Sequence, residues 1–407
     1  MNTPWRRNLY ILFSIQVLST AGFSLVFPFL PLYVKEIGIA THGSVEFWSG
    51  LVFSSQAVTM MFASPIWGSV ADRYGRKMML VRATLGGAVL IGLMGFVQNA
   101  EQLVVLRTIQ GLVTGVLAAG NALVAANTPK EHTGAALGLM QMGRWAGVAV
   151  GPVIGGIIGD AIGFRESFWI TGAMLGLAGL CVIFWVREDF HQPDNRTRPS
   201  FWQGYKLLLT TPGMAGLYSL TFLRSLGQTI ISPFIALFIV SLTGAEQGAA
   251  SITGFILGCT AFAGALSSVY LGRLGDRLGH SRVMIAAALA AVLFYLPQPF
   301  VTAAWQLLIL QALTGIATGG IMPTLAALMN LWTPGNSQGS VYGLENSVTA
   351  SARIFAPMVG AALTLWFGLR GVFAGATVVY GLLALLAILV ANAAKTRNTM
   401  QFQPADD

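Results

Sequence analysis

Charge is what this chain has least of. Only 9% of its 407 residues are Asp, Glu, Lys or Arg, where a soluble domain carries about 25%. So few charges cannot cover a surface facing water, and the solvent for most of the chain is therefore lipid. Cysteine is scarce too. Cys181 and Cys259 both fall inside apolar runs and read as small buried hydrophobes, not as a disulfide framework. The four histidines (His42, His132, His191 and His280) have no metal-ligand spacing, and no Gly-Lys-Ser/Thr phosphate loop occurs. The expectation is therefore no metal and no cofactor. The net charge of +8 is no footprint for nucleic acid, because the basic residues come in short clusters between long apolar runs.

What the chain has in quantity is hydrophobicity, at 55% of residues and a mean hydropathy of +0.69. A helix needs about 20 apolar residues to cross a bilayer. Twelve such runs are present, at about 9–34, 46–69, 79–98, 102–126, 134–159, 165–187, 212–240, 250–272, 282–300, 304–331, 339–364 and 369–392. The first follows Arg6 and Arg7 and is too long for a signal-peptide core, so it stays as a spanning helix. The one long polar segment, Arg187 to Lys206, separates the sixth run from the seventh. This divides the chain into 1–187, a linker 188–211, and 212–407. Sixteen Lys and Arg gather on the side of the termini and three on the other (Lys35, Arg165, Arg370), which puts both termini in the cytoplasm.

The two halves resemble each other. "GSVADRYGRK", Gly68 to Lys77, returns as "GRLGDRLGHSR", Gly272 to Arg282, at an offset of 204 positions. Gly111 and Gly315 keep that offset; Gly22 and Pro28 match Gly227 and Pro233 at 205. The fold expected is all-α and membrane-spanning: twelve helices in two pseudo-symmetric six-helix bundles, with a site at their interface near mid-membrane. One chain holds both halves, so a monomer is expected.

The charged knot ends the second and eighth helices. An Asp at the C-terminal end of its own helix meets partial negative charge, and is better placed at the start of a neighbour. The repeat geometry assigns Asp72 to the start of the eleventh helix and Asp276 to the start of the fifth. The two contacts would latch the halves on the cytoplasmic side. Arg73, Arg76, Lys77 and Arg277 anchor the loops, Gly75 and Gly279 permit tight turns, and Glu131 is a partner for Arg76.

"GSVADRYGRK" resembles the loop motif between helices two and three of the major facilitator superfamily. "LRTIQGLVTG", Leu106 to Gly115, resembles its fourth-helix motif, and "GVAVGPVIGG", Gly147 to Gly156, the fifth-helix motif of its antiporters. "GFSLVFPFLPLYV", Gly22 to Val34, resembles the first helix of the twelve-span drug:proton antiporters. The stretch from about Phe23 to Arg82 is particularly similar to MdtG-type bacterial multidrug exporters. The resemblance implies alternating access in a bacterial cytoplasmic membrane, with efflux driven by proton influx. It also implies a coupling role for Arg107, beside Gln110.

Gly143, Gly147, Gly151 and Gly155 form a stripe on the fifth helix, interrupted by Pro152. A stripe without Cβ atoms lets another backbone approach. Gly254 and Gly258 of the eighth helix make that helix the expected partner. The eleventh helix has Ala356 where the fifth has Gly151, so the matching seal there is expected to be weaker.

Five charged residues fall within spans: Arg107, Arg144, Arg224, Arg353 and Glu345. Each is costly in lipid, which makes a functional role the default. The three deepest, Arg144, Arg224 and Arg353, are expected to line a watered cavity. Glu345 is the one acid within any span, hence the coupling carboxylate by elimination, or else a structural partner for an arginine. Four arginines against one glutamate favour an anionic or amphiphilic substrate over organic cations. Phe23, Phe27, Trp145, Phe234 and Phe262 are candidates for an apolar wall. A carrier for one metabolite (a sugar or organic anion) stays open beside multidrug efflux. An enzyme or receptor would need a catalytic cluster or a sizeable soluble domain, and the sequence carries neither.

Overall fold

The computed structural model describes residues 4–113, 115–129, 132–188, 213–332 and 338–401. All of its regular structure among these residues is helical. Twelve spans follow one another. The first is built of Pro4–Leu25 and Leu30–Ile37, the second is Val45–Tyr74 and the third Arg76–Met94. The fourth is Ala100–Val113 with Val116–Asn127, the fifth Thr133–Ala161 and the sixth Phe164–Trp185. The seventh is Met214–Ile230 with Ile235–Thr243, the eighth Ala249–Leu278 and the ninth His280–Tyr295. The tenth is Ala304–Gly319 with Ile321–Trp332, the eleventh Gln338–Phe367 and the twelfth Leu369–Gln401. Among the described residues, ten are long and apolar enough to cross a membrane on composition alone. The second and fourth are not among them, and these two carry Gln56, Thr59, Arg107 and Gln110. Large apolar side chains such as Phe184, Phe300 and Trp366 stand exposed, as a lipid-facing surface requires.

The sequence repeat is visible in the breaks. The first and seventh spans break at matching places, next to Pro28 and Pro233, each of which lacks the N–H that would continue a helix. The fourth and tenth also divide. Discontinuous helices are where transporter folds build their sites.

The charged knots lie inside helices. Asp72 and Arg73 belong to the last turn of the second span, Asp276 and Arg277 to that of the eighth. The chain then turns on one residue. Gly75 (φ 91°) and Gly279 (φ 94°) sit where a side chain would be strained, and the third and ninth spans start immediately after them. Their N–H groups close the preceding helices onto Ala71 O at 3.0 Å and Gly275 O at 2.9 Å.

The halves meet at one end. The second span packs on the eleventh and the fifth on the eighth. Every contact named below between those pairs lies between mid-span and the face away from the termini, called here the opposite face. One buried apolar cluster runs through both halves there, including Phe29, Tyr33, Phe168, Phe234, Phe238 and Phe373, and in the second half it continues toward the termini to Met214, Met329 and Val341. A second cluster, with Leu12, Leu80, Leu123, Met140 and Val182, belongs to the first half alone and lies toward the face carrying the termini, the terminal face.

Candidate functional site

At mid-span the halves bring together the three deep arginines. Arg144 of the fifth span lies within electrostatic reach of Arg224 of the seventh, and Arg353 of the eleventh within reach of both. Arg224 also faces Glu345 and Tyr380 electrostatically. Its Nη1 donates to Gln228 Oε1 and its Nη2 to Ser225 Oγ, both at 3.3 Å. Arg353 is exposed although it sits at the middle of its helix. Three like charges collected from two halves, one of them solvent-accessible, make a basic surface facing the space between the bundles. Of the aromatic candidates, Phe27 is partly exposed and stacks on Phe53 at 5.7 Å. Phe234 is a correction: it is fully buried against Gly360 and lines no cavity.

Arg107 is 5% exposed. Its Nη1 donates to Gln56 Oε1 at 3.2 Å and Gln110 Oε1 at 3.1 Å. Its Nε and Nη2, and Gln110 Nε2, are buried without an acceptor among the described residues. The matching place in the second half is satisfied. Gln311 Nε2 donates to Gln298 Oε1 at 3.1 Å, and Gln298 Nε2 to Thr314 Oγ1 at 3.1 Å. A buried guanidinium with spare donors is costly unless something accepts from it during function.

The seam between fifth and eighth spans is built on backbone. A Cβ at Gly254 would strike the Pro152 carbonyl, one at Gly156 the Ala250 carbonyl, and one at Gly258 would lie 2.8 Å from Ala149 O. The expected pairing of these two helices holds, but the stripe that makes it does not. Gly143, Gly147, Gly151 and Gly155 face the first span instead, at Phe13, Thr20, Ala21 and Leu25. A stripe at four-residue spacing fixes one face, and Gly156 lies on the next one round the helix. Ser251 N–H donates to Asp160 Oδ2 at 2.7 Å, and Ser251 Oγ to Gly156 O at 3.2 Å. On the other seam Ser54 Oγ donates to Ile354 O at 2.8 Å, and a Cβ at Gly50 would lie 2.9 Å from Pro357 O. Lys35 and Glu246 form an ion pair across the halves at the same face. Nearby, Glu101 accepts from Ala40 N–H at 3.0 Å and Thr41 N–H at 2.8 Å. Desolvation opposes its ionisation, but hydrogen bonds from its own backbone, Thr41 and Ala40 outweigh that and push the carboxyl down to about 2.

The latch expected at the terminal face is not made by Asp276. Its side chain is 73% exposed and lies 3.5 Å from His280 Nε2, across its own turn. At Gly134, in the first turn of the fifth span, a Cβ would meet nothing within 4 Å among the described residues. The physical reason is divergence: the fifth and eighth helices touch at the opposite face and separate toward this one. Gly272 lies beside Pro323 of its own half. The side chain of Asp72, the surroundings of Gly68, and Glu131 lie outside the described residues. Arg73 and Arg277 are exposed. Arg76 and Lys77 are tied within the first half, where their N–H groups donate to Glu188 at 2.9 and 2.7 Å and Lys77 Nζ to Ile183 O at 2.9 Å. Reading from sequence missed Glu188 and the position of Asp160. Glu188 is the first residue of the expected linker 188–211, and Asp160 is the residue that follows the fifth apolar run, 134–159.

The chain matches the Major Facilitator Superfamily over residues 12–221 and 217–403. It is 36% identical over 370 residues to the multidrug resistance protein MdtG of Salmonella arizonae, and 35% identical over 369 residues to that of Salmonella typhimurium; each alignment covers 91% of both proteins. Its fold is similar to a solved bacterial homologue of the human lysosomal transporter Spinster, inward-facing and unoccupied, with a TM-score of 0.81 at 13% identity over 96% of this chain and 98% of that one. The nucleoside transporter NupG gives a TM-score of 0.78 at 15% identity, covering 93% of this chain and 99% of that one. With twelve spans in a repeated pair of six, two interdigitating seams and relatives aligned along almost its full length, this chain is a multi-span membrane transporter that belongs to the Major Facilitator Superfamily.

Proposed function

We propose that the chain is a multidrug:proton antiporter that exports anionic or amphiphilic compounds by alternating access. The observation that carries this reading is the basic cluster: Arg144 from one half within reach of Arg224 and Arg353 from the other. An anion placed among them is held by both halves at once, so binding it favours bringing the halves together. The multidrug relatives support the broad substrate class, and the sealed opposite face with an unlatched terminal face supports a state open toward the termini. In this reading the units 1–187 and 212–407 rock about the cluster, joined by the linker 188–211. Both termini lie in the cytoplasm of a bacterial inner membrane, and the chain works as a monomer driven by the proton gradient, with no cofactor.

Arg107 and Glu345 are the coupling groups. The spare donors of Arg107 and Gln110 offer a place for an acceptor that comes and goes. Glu345, facing Arg224, is the acid that exchanges a proton as the arginine gains or loses an anionic partner.

The test is transport in proteoliposomes with an imposed pH gradient, against anionic, neutral and cationic compounds of matched size. The reading predicts gradient-driven movement with anionic compounds preferred, and at least a ten-fold loss of that preference in Arg224→Gln and Arg353→Gln. Stronger transport of quaternary ammonium cations would overturn the charge assignment. Unchanged pH-driven transport in Glu345→Gln would remove Glu345 from coupling.

A further inference from the structure

The eighth span starts without a cap of its own. Its N-cap residue is Gly248, in the left-handed region at φ 82°, with no side chain to accept from the first-turn amides. The second span, which begins at the same face, is self-capped: Ser44 Oγ accepts from Phe47 N–H at 3.2 Å. A helix start leaves its first N–H groups unpaired unless something outside the helix accepts from them. At the eighth span Glu246 O accepts from Ala249 N–H at 3.1 Å, and Asp160 Oδ2 takes the Ser251 N–H at 2.7 Å, the amide a cap side chain ordinarily serves.

Asp160 belongs to the other half. It lies in the last turn of the fifth span, where its charge opposes the partial negative charge of its own helix end. It becomes favourably placed only when the start of the eighth helix comes up against it. Both helix ends are thus better satisfied together than apart. The second half offers nothing equivalent in sequence: the position matching Asp160 at the 205-residue offset is Leu365.

We propose that Asp160 is the latch of the opposite face, a carboxylate that caps the eighth helix from across the interface and releases it when that face opens. It deepens the alternating-access reading and rests on it. Opening separates Asp160 from Ser251, exposes an uncapped helix start, and loosens the backbone seam of Gly156, Gly254 and Gly258 beside it. The same principle was expected at the terminal face for Asp276. Here it is met at the other end of the same two helices, with donor and acceptor helices exchanged.

The test uses the full-length protein in lipid nanodiscs with Cys181 and Cys259 replaced by Ala. The reporter is Ser54→Cys on the other seam, where the serine hydroxyl donates to Ile354 O, labelled by a soluble maleimide. Asp160→Ala and Asp160→Val, neither of which can accept a hydrogen bond, are each expected to speed labelling about five-fold. That factor corresponds to loss of a helix cap of about 1 kcal/mol. Hydrogen exchange at amides 249–254 should rise with it. A merely local cap would raise exchange at 249–254 and leave labelling at position 54 unchanged, and that result overturns the latch, as does no change in either readout. Asp160→Val, which also lacks an acceptor, keeps the test interpretable if the alanine variant folds poorly. Labelling needs neither substrate nor gradient, so its failure is separable from a failure of the antiport reading.

Discussion

The two ends of the fifth and eighth helices differ in what holds them. At the opposite face they approach backbone to backbone, through Gly156, Gly254 and Gly258, with Asp160 fastened to Ser251. At the terminal face the same helices end in an exposed Asp276 and an open approach to Gly134. A rigid pair of helices cannot be in close contact at both ends while crossing at an angle, so closing one end opens the other. Small residues and one carboxylate at each end make either closure cheap in lipid, where packing and hydrogen bonds drive helix association.

The largest effect is expected at two adjacent glycines. Gly155 faces Leu25 of its own half and Gly156 faces Ala250 of the other. Gly155→Leu is expected to prevent the first half from packing, read as loss of monodisperse protein on gel filtration. Gly156→Leu is expected to fold but to keep the opposite face from closing, with transport down at least ten-fold, since overpacking costs about 1–3 kcal/mol. Equal loss of folded protein in both would erase the distinction between packing face and seam face.

A smaller effect is expected at the terminal face. Among the described residues, Asp276 makes only a surface pair with His280, worth about 0–1 kcal/mol. Asp276→Asn should therefore leave thermal stability unchanged, while the proposed alternating access predicts that it slows transport several-fold. A clear drop in melting temperature would instead make it a structural residue. Smaller again is the exposed pair Lys35–Glu246, at 46% and 63% side-chain exposure. Single charge reversals, made in the Ser54→Cys background, should shift maleimide labelling by less than about five-fold, the equivalent of 1 kcal/mol, and the double reversal should restore it. The least effect is expected from acid at Glu101. Its depressed carboxyl stabilises the turn at Ala40 and Thr41 fully above the ordinary carboxylate range, and that contribution fades as pH falls toward about 2. Hydrogen exchange at residues 40–41 should rise with acid over that window, and Glu101→Gln should flatten the rise.

Much of the fold was legible from sequence because lipid permits so few backbone solutions. The apolar runs locate the spans, and Gly68 to Lys77 recurring as Gly272 to Arg282 gives the two-fold plan. The deep arginines were legible for the same reason: a charge within a span has to face something other than lipid, and Arg144, Arg224 and Arg353 do gather. Which side of a glycine stripe meets which neighbour was not legible. Gly156 and Gly155 differ by one step of about 100° around the helix, and only packing decides which face turns to the first span and which to the eighth. Nor was the conformation. Asp276 read as a closed latch, and in this structure its side chain is exposed and lies beside His280 of its own helix end instead. Glu188 was hidden because nothing in a linker's composition says that its first acid folds back onto the start of the third span.

The most direct measurement is a pair of spin-label distances in the full-length protein, Tyr74→Cys with Leu278→Cys across the terminal face and His42→Cys with Gln247→Cys across the opposite face. The account predicts that, under a pH gradient with substrate, the first distance shortens as the second lengthens. Two distances that stay fixed, or that change in the same direction, would contradict it.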